Sequence, residues 1–305
     1  MMRPDEVGHA NSINQRHINT MCFSKLELPP NITATINEDE ALENVTWIIH
    51  AVPVQFTSGY LAAMKDKIPP NVPMVSVSKG ICLKTLRFMN EIIPAALGRE
   101  QPTAFLCGPS FAEGIIRQDP TAVVVASSNA LLARSAQCLL STANFRVYTT
   151  TDVKGLEIGS ALKNVLAIAA GMAYGLGYGA NSATFLVTRG WAEIRKIAVC
   201  MGAEERTLAG LAGVGDLMLT CFGGSSRNAN FGKLLATNGG NVKLALEKAG
   251  GVVEGFPTAK ACKELGEKHN LELPIISAIA DTLSGRISPQ EMMSYIMTFT
   301  LGKED

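Results

Sequence analysis

The sequence predicts an α/β domain with a largely parallel sheet over residues 1–150, followed by an all-α domain over residues 151–305. Short apolar, β-branched segments alternate with helically spaced segments in the first half, which is typical of strands covered by helices on both faces. From Asp152 onward the strand pattern ends and apolar residues recur only with helical spacing. A length of 305 residues also fits two domains.

The first half of the chain supplies the elements of the sheet domain. A polar helix is predicted at 5–20, and the first clear strand is reached only at Trp47. Apolar runs that stop at turn residues predict strands at 46–53, 72–80, 103–110, 121–127 and 145–150. The segments between them predict helices at 56–68, 84–97 and 129–140.

The second half is predicted to be helical throughout. Helical periodicity indicates helices at 153–174, 181–201, 204–212, 228–238, 241–249, 256–270, 274–284 and 289–299. The glycine-rich segment 171–180 follows the first of these helices and not a strand, so it is not interpreted as a dinucleotide-binding turn. The apolar run from Val165 to Ala180 falls short of a membrane span, and no membrane partner is expected.

Three predicted strands end in chemically distinctive residues. These ends are the segments 53–56, 79–80 and 108–110. Each taken alone is an ordinary turn. The carboxyl ends of parallel strands share one edge of a sheet, where ligands bind, so together they predict a ligand site.

Composition excludes several classes of protein. Lys plus Arg and Asp plus Glu number 27 each, which argues against a broad surface for nucleic acid but leaves room for a local cationic pocket. Seven cysteines without CxxC spacing indicate reduced thiols in an intracellular protein, with no metal cluster and no disulfide framework. The four histidines form no ligand motif, and His50 is interpreted as a satisfied core residue.

Three polar groups in the helical half are candidates for chemistry. Lys163 lies in the apolar segment ALKNVLAI, where it is either a general base with a lowered pKa or a lysine that extends along the apolar face to water. Asp216 either caps a helix, or orients Lys163 or binds a hydroxyl. The loop 223–232 opens a helix, so it is either an anion site with Arg227 as a bidentate donor or a solvated loop.

Together these segments resemble NAD(P)-dependent glycerol-3-phosphate dehydrogenases. The resemblance runs from about Asn11 to about Phe299 and is carried, in order, by LPPNITAT (28–35), VPVQF (52–56), SVSKGI (76–81), GPSFAEG (108–114), SALKNVLAIAAG (160–171), GLAGVGDLMLTC (210–221), SSRNANFG (225–232) and VVEG (252–255). The family implies an N-terminal Rossmann-like domain and a helical substrate domain. It also implies hydride transfer between glycerol 3-phosphate and dihydroxyacetone phosphate, with NAD or NADP as the cofactor.

The resemblance also implies residue roles. Lys163 is expected to be the catalytic acid/base, and no metal is expected. Substrate is expected to contact Lys79, Gly108, Ser110, Asn164, Asp216, Thr220, Ser226, Arg227 and Asn228. The cofactor cleft is expected to be lined by Phe56, Lys79, Ala112, Arg227, Val252 and Glu254. Like-charge repulsion from Lys79 is expected to lower the pKa of Lys163.

The front of the chain departs from the family pattern. The first strand, the glycine-rich turn and the second strand are missing, a loss of about 30 residues. Two hypotheses follow: an enzyme whose coding start lies upstream of Met1-Met2, or a non-catalytic relic that binds only glycerol phosphate or a partner subunit. Exposed strand edges are expected to favour association. A homodimer is expected, in the cytoplasm or in a glycosome-like organelle; the carboxyl-terminal LGKED lacks a peroxisomal tripeptide.

Overall fold

The computed structural model describes residues 6–299. Met1-Met2 and the LGKED terminus, which entered the sequence interpretation, lie outside the described residues. The first half contains strands β1 to β5 at Ile48–His50, Met74–Ser76, Thr103–Cys107, Thr121–Ala126 and Phe145–Thr150. Its helices α1 to α6 are Val7–Arg16, Glu38–Leu42, Val54–Met64, Met89–Leu97, Ala112–Ile116 and Ala130–Leu140.

The five strands form one sheet in the order β1-β2-β3-β4-β5. All neighbouring strands are parallel except β3 and β4, which run antiparallel. The prediction of a largely parallel sheet is therefore confirmed, with one reversed pair. The reversal coincides with a short helix in the connection: between Cys107 and Thr121 the chain forms only α5, Ala112–Ile116. A parallel crossover needs a dozen or more residues and usually a full covering helix.

Strand β1 lies at one edge of the sheet formed by the described residues. Its middle residue, Ile49, is 50% exposed. His50, the last residue of β1, is buried, and its Nδ1 lies 3.4 Å from the Ser76 hydroxyl. Within residues 6–299 its Nε2 has no hydrogen-bond partner, so the interpretation of His50 as a satisfied core histidine holds for one ring nitrogen only.

The second half is helical. Helices α7 to α9 are Val153–Gly175, Ala180–Cys200 and Glu205–Leu208, and a π-helical turn follows at Leu211–Gly215. Helices α10 to α15 are Asp216–Phe222, Arg227–Thr237, Val242–Ala249, Gly255–Lys268, Pro274–Leu283 and Pro289–Ile296. The glycine-rich segment 171–180 joins α7 to α8, so its rejection as a strand-to-helix turn agrees with the structure.

The prediction of one continuous helix at 204–212 is wrong. It is split into α9 and the π-helical turn, and α10 begins directly afterwards at Asp216. Glycines cause the break: a Cβ on Gly213 would overlap the backbone of Leu208, so the chain is packed too closely for a side chain there. The split places Asp216 in the first turn of a new helix.

Helix α7 is the centre of the helical half. Every residue from Gly155 to Ala173 is buried. Among residues 6–299 this is the single unbroken helix long and apolar enough to cross a membrane, and the bent pair Glu205–Phe222 and Arg227–Thr237 passes only when taken together. The most apolar window of α7 is 100% buried inside the protein, as in the core helix of a folded domain. The backbones of α7 and α11 lie in close contact at Gly171. A Cβ there would overlap the carbonyl group of Ala229. That contact brings the middle of α7 next to the start of α11.

The change from sheet to helices falls between Thr150 and Val153. Hydrophobic packing crosses this point, because Ile81 belongs to the helical core and Leu156 belongs to the core beneath the sheet. The division into domains at residue 150 stays a prediction.

Candidate active site

Lys163 lies inside the protein, on α7. The residue is only 4% exposed, so the interpretation in which its side chain extends to bulk water does not fit. Its Nζ lies 2.8 Å from Oδ1 of Asp216 and also donates a hydrogen bond to the hydroxyl of Thr220. A buried ammonium is stable only when it is paired in this way, so the position is a built charge site.

Asp216 joins two lysines from different halves of the chain. Its Oδ1 contacts Lys163, and its Oδ2 lies 2.8 Å from Nζ of Lys79, which follows β2. Asp216 is 2% exposed, and the lysine at the strand end is partly exposed. The contact with Lys163 agrees with an orienting role for Asp216, whereas the capping position before α10 is taken by Gly215.

Thr220 lies one turn after Asp216 on α10. Its hydroxyl donates to the backbone carbonyl of Asp216 at 2.6 Å and accepts from Lys163. The hydroxyl hydrogen of Thr220 is therefore used by the carbonyl of Asp216, and a lone pair of the same oxygen accepts from the ammonium of Lys163. Together Thr220 and Asp216 fix two of the three N–H directions of Lys163 and leave one for another acceptor.

The electrostatic environment separates the two lysines. Burial, and after it the positive charge of Lys79, lowers the pKa of Lys163 despite the contact with Asp216. Burial also disfavours the charged form of Lys79, but Asp216 and further acidic neighbours outweigh this and raise the pKa of Lys79. The two pKa shifts run in opposite directions, so Lys79 holds its proton more firmly than Lys163 does.

The end of β3 lies against Lys79. The Lys79 ammonium donates to the carbonyl oxygen of Gly108 at 3.3 Å, and the Ser110 hydroxyl donates to the same oxygen at 3.1 Å. Gly108 has φ +151°, and a Cβ there would lie 2.9 Å from Cα of Val123. A side chain at this position would be strained and crowded, which explains the glycine.

The start of α11 forms the other wall. Ser226 is the N-cap and accepts from the amide of Ala229 at 3.3 Å. Arg227 is exposed at the first helical position, and its guanidinium lies against Gly251. Asn228 accepts from the amide of Gly255 at 2.9 Å, so its side chain ties α11 to α13.

Glu254 faces the cations of the site. Burial raises the pKa of Glu254, and Lys79, Arg227 and Lys163 oppose that rise. Its Oε2 accepts a 3.3 Å hydrogen bond from the side-chain Nδ2 of Asn164. The structure thus brings together, from both halves of the chain, Lys79, Gly108, Ser110, Lys163, Asn164, Asp216, Thr220, Arg227 and Glu254.

Both halves of the chain match the models of one known protein family. Residues 2–133 match the model described as NAD-dependent glycerol-3-phosphate dehydrogenase N-terminus, and residues 152–294 match its C-terminus counterpart. The chain belongs to this family. It is 43% identical to a chloroplastic glycerol-3-phosphate dehydrogenase [NAD(+)] of Oryza sativa, covering 97% of the chain and 67% of that relative. It is 39% identical to a glycerol-3-phosphate dehydrogenase [NAD(P)+] of Leptospira biflexa, covering 97% and 89%.

Solved structures agree with this assignment. A glycerol-3-phosphate dehydrogenase from Coxiella burnetii superimposes with a TM-score of 0.90 at 31% identity, covering 96% of the chain and 90% of that structure. A ketopantoate reductase from Ralstonia eutropha has a TM-score of 0.59 at 14% identity, which shows a shared fold alone. The Rossmann-like N-terminal domain and the helical C-terminal domain of the glycerol-3-phosphate dehydrogenase family are thereby confirmed for this chain.

Three residues that the resemblance implies for the cofactor cleft lie at or just before the first turns of helices. Phe56, in the first turn of α3, and Val252, before α13, are each 68% exposed. Ala112 is the first residue of α5, just after β3. Large apolar side chains left this open can cover a flat aromatic ligand. Their assignment to the cofactor stays a prediction, as does the substrate role of Ser226 and Asn228.

Two features near the site were not predicted from the sequence. Cys107, at the end of β3, is buried beside Lys79, and burial raises the pKa of its thiol to about 11. Glu157, on α7, accepts from the amide of Asn90 at 3.1 Å and so caps α4. In the sequence, Glu157 could have been noticed as the only acidic residue within the apolar part of α7.

Proposed function

We propose that the chain interconverts sn-glycerol 3-phosphate and dihydroxyacetone phosphate by hydride transfer with NAD(H) or NADP(H). The observation that carries the proposal is Lys163, a buried lysine with a lowered pKa held by Asp216 and Thr220. Oxidation of a secondary alcohol needs a base for the hydroxyl proton, and reduction of the ketone needs an acid at the same oxygen. One lysine with an accessible pKa serves both directions.

In the oxidative direction, neutral Lys163 accepts the proton of the C2 hydroxyl as the C2–H bond breaks. A bound nicotinamide would supply the hydride acceptor for this direction and the hydride donor for the reverse. In the reductive direction, protonated Lys163 donates to the C2 oxygen as it becomes an alkoxide. The Lys79 ammonium, which keeps its charge, stabilises negative charge that develops on the substrate oxygens.

The phosphate is proposed to bind at the start of α11. Arg227 offers a planar pair of donors, and the amides of the first turn together with the helix dipole favour an anion. The N-cap Ser226 lies in the same turn, although its hydroxyl already accepts from Ala229. The side-chain carbonyl of Asn228 accepts from the Gly255 amide, which leaves its Nδ2 group to donate to the phosphate.

The residues present fit the nicotinamide end of a dinucleotide. Phe56 and Val252 would cover the ring, Ala112 would border it, and Glu254 would accept a hydrogen bond from a polar group on it. The sequence contains no glycine-rich turn after a strand that would hold a pyrophosphate.

A homodimer is also proposed. Met218 and Phe222, 58% and 43% exposed, lie one turn apart on α10 and offer an apolar face for a second copy. A cytoplasmic or organellar location is proposed alongside it; the names of relatives from Oryza sativa and Arabidopsis thaliana include the word chloroplastic.

The test is NADH oxidation by the purified chain with dihydroxyacetone phosphate, with the product identified as sn-glycerol 3-phosphate. Lys163→Ala is expected to lower kcat by about 10²–10⁴ while glycerol phosphate still binds. Lys196→Ala, an exposed lysine on α8, is the matched control and is expected to be unchanged. Binding without turnover in the unaltered chain would instead support a non-catalytic relic.

A further inference from the structure

The segment 79–83 links the sheet to the helical half. It begins with Lys79 at the end of β2, and two residues later the side chain of Ile81 is fully buried in the helical core. The position of this short segment therefore decides where the Lys79 ammonium lies relative to Asp216. A lysine side chain has four rotatable torsions, so its anchor on the backbone must itself be fixed for the ammonium to hold one place.

Gln55 holds this segment from outside the strand. Its side-chain amide nitrogen donates to the carbonyl oxygen of Ile81 at 2.7 Å. Its carbonyl oxygen accepts from the amide of Leu83 at 3.1 Å. One exposed side chain in the first turn of α3 thus uses both its donor and its acceptor on one stretch of backbone, more than twenty residues away in the chain.

The turn that carries Gln55 also contacts the residues on both sides of Lys79. The Ser78 hydroxyl donates to the carbonyl oxygen of Val52 at 2.6 Å. Gly80 has φ +133°, and a Cβ there would lie 2.9 Å from Cγ1 of Val54. The backbone is therefore held on both sides of Lys79. Before it, Ser78 is hydrogen-bonded to Val52; after it, Gly80 packs against Val54, and the next residues bind Gln55.

We propose that Gln55 is a positioning residue for Lys79. Its two hydrogen bonds fix residues 81–83 and so aim the Lys79 ammonium at Asp216 and at the C2 oxygen of the substrate. The inference rests on the proposed function for its kinetic consequence. Loss of the contacts lets residues 79–83 move, which weakens substrate binding and reduces the repulsion that Lys79 exerts on Lys163.

The kinetic test compares Gln55→Ala, Gln55→Glu and the control Ser58→Ala, an exposed position on the same helix. Gln55→Ala is expected to lower kcat/KM for dihydroxyacetone phosphate by about 10–100-fold, mostly through KM, because a small misplacement of a charged group is costly. Gln55→Glu keeps the acceptor for Leu83 and is expected to recover part of the loss. Ser58→Ala is expected to match the unaltered chain.

The pH profile separates positioning from simple stability. With Lys79 displaced, the pKa of Lys163 rises, so the limb of kcat/KM for glycerol 3-phosphate oxidation moves to higher pH in Gln55→Ala. A loss of kcat/KM with an unmoved limb and a lower Tm would overturn the proposal, because that pattern indicates general destabilisation. Unchanged kinetics in Gln55→Ala would overturn it as well.

A readout that needs no turnover uses Cys82, which lies between the two residues held by Gln55 and is half-buried. Its alkylation by iodoacetamide, followed by peptide mass spectrometry, is expected to be at least about fivefold faster in Gln55→Ala than in Ser58→Ala. Equal rates would overturn the proposal even in a chain without dehydrogenase activity. Absence of turnover in the unaltered chain, with faster alkylation of Cys82 in Gln55→Ala, would count against the proposed function and leave the role of Gln55 standing.

Discussion

Oδ1 of Asp216 lies 2.8 Å from Nζ of Lys163, and both side chains are almost wholly buried. An ion pair removed from water is stable only with good geometry and further hydrogen bonds, which Thr220 supplies here. The second oxygen of the carboxylate is used by Lys79, so one negative charge serves two ammonium groups. This shortage of negative charge, with burial, makes Lys163 the group that releases its proton most readily.

The pH dependence of glycerol 3-phosphate oxidation follows from this pair. Neutral Lys163 is the active form for oxidation, so kcat/KM should rise with pH and level off above the pKa of Lys163, which lies below the ordinary 10.5. Lys79→Met removes the second cause of the lowering, so the limb should move to higher pH. A limb that stays in place, measured over a constant-ionic-strength buffer series, would show that Lys79 does not act on Lys163.

Arg227→Lys tests the phosphate site. A compact ammonium replaces a planar fork, so binding of glycerol 3-phosphate should weaken by about 1–3 kcal/mol, while binding of free glycerol should change much less. Isothermal titration with both ligands measures the difference. Arg206→Lys, an exposed arginine on the short α9, is the control. Equal losses for glycerol and its phosphate would show that Arg227 does not contact the phosphate.

Sequence periodicity predicted most of the helical half well. Helix α7 was predicted at 153–174 and runs from Val153 to Gly175, and α11 was predicted one residue late. Lys163 stood out because a charged residue in a long apolar helix is costly unless it is paired. These are local properties of the chain, which is why they can be seen without a structure.

The remainder depended on contacts between distant residues. Lys79 and Asp216 are 137 positions apart; the resemblance implied that both contact substrate, but their ion pair was not predicted from the sequence. The antiparallel pairing of β4 with β3 goes with a connection that holds only the short α5. The contacts of Gln55 are made with backbone groups, and such contacts leave no mark on the sequence pattern. Gln55 was noted only as part of a distinctive strand end, with no role of its own.

The open edge of β1 predicts self-association. Ile49 is half exposed in the middle of an edge strand, and an apolar edge is a template for pairing with another chain. Ile49→Lys should therefore reduce the fraction of large oligomers at equal concentration, as seen by size-exclusion chromatography with light scattering. Leu131→Lys, which replaces an exposed leucine at the start of α6 away from the strand edge, is the control. An equal effect of both changes would point to general surface hydrophobicity instead.

Glu157 gives a prediction about stability against pH. It is buried, and burial raises its pKa from 4.5 to about 8, although the amides of Asn90 and Met89 favour the charged form. The native state therefore keeps a proton that the unfolded chain releases between these two pH values. Stability from this group is fully present below pH 4.5 and is lost as pH rises towards about 8.

Glu157→Gln removes this titration while keeping a carbonyl oxygen to accept from Asn90. The free energy of unfolding in urea, compared at pH 5.5 and pH 8.5, should fall by roughly 2–4 kcal/mol more for the unaltered chain than for Glu157→Gln, since each pKa unit is worth about 1.4 kcal/mol. Other groups titrate equally in both proteins and cancel in the comparison. Glu247→Gln, at an exposed position on α12, is the control for the loss of a carboxylate elsewhere in the chain. A difference between Glu157→Gln and the unaltered chain that is independent of pH would mean that Glu157 stays ionised in the folded protein, with its charge held by the amides of α4.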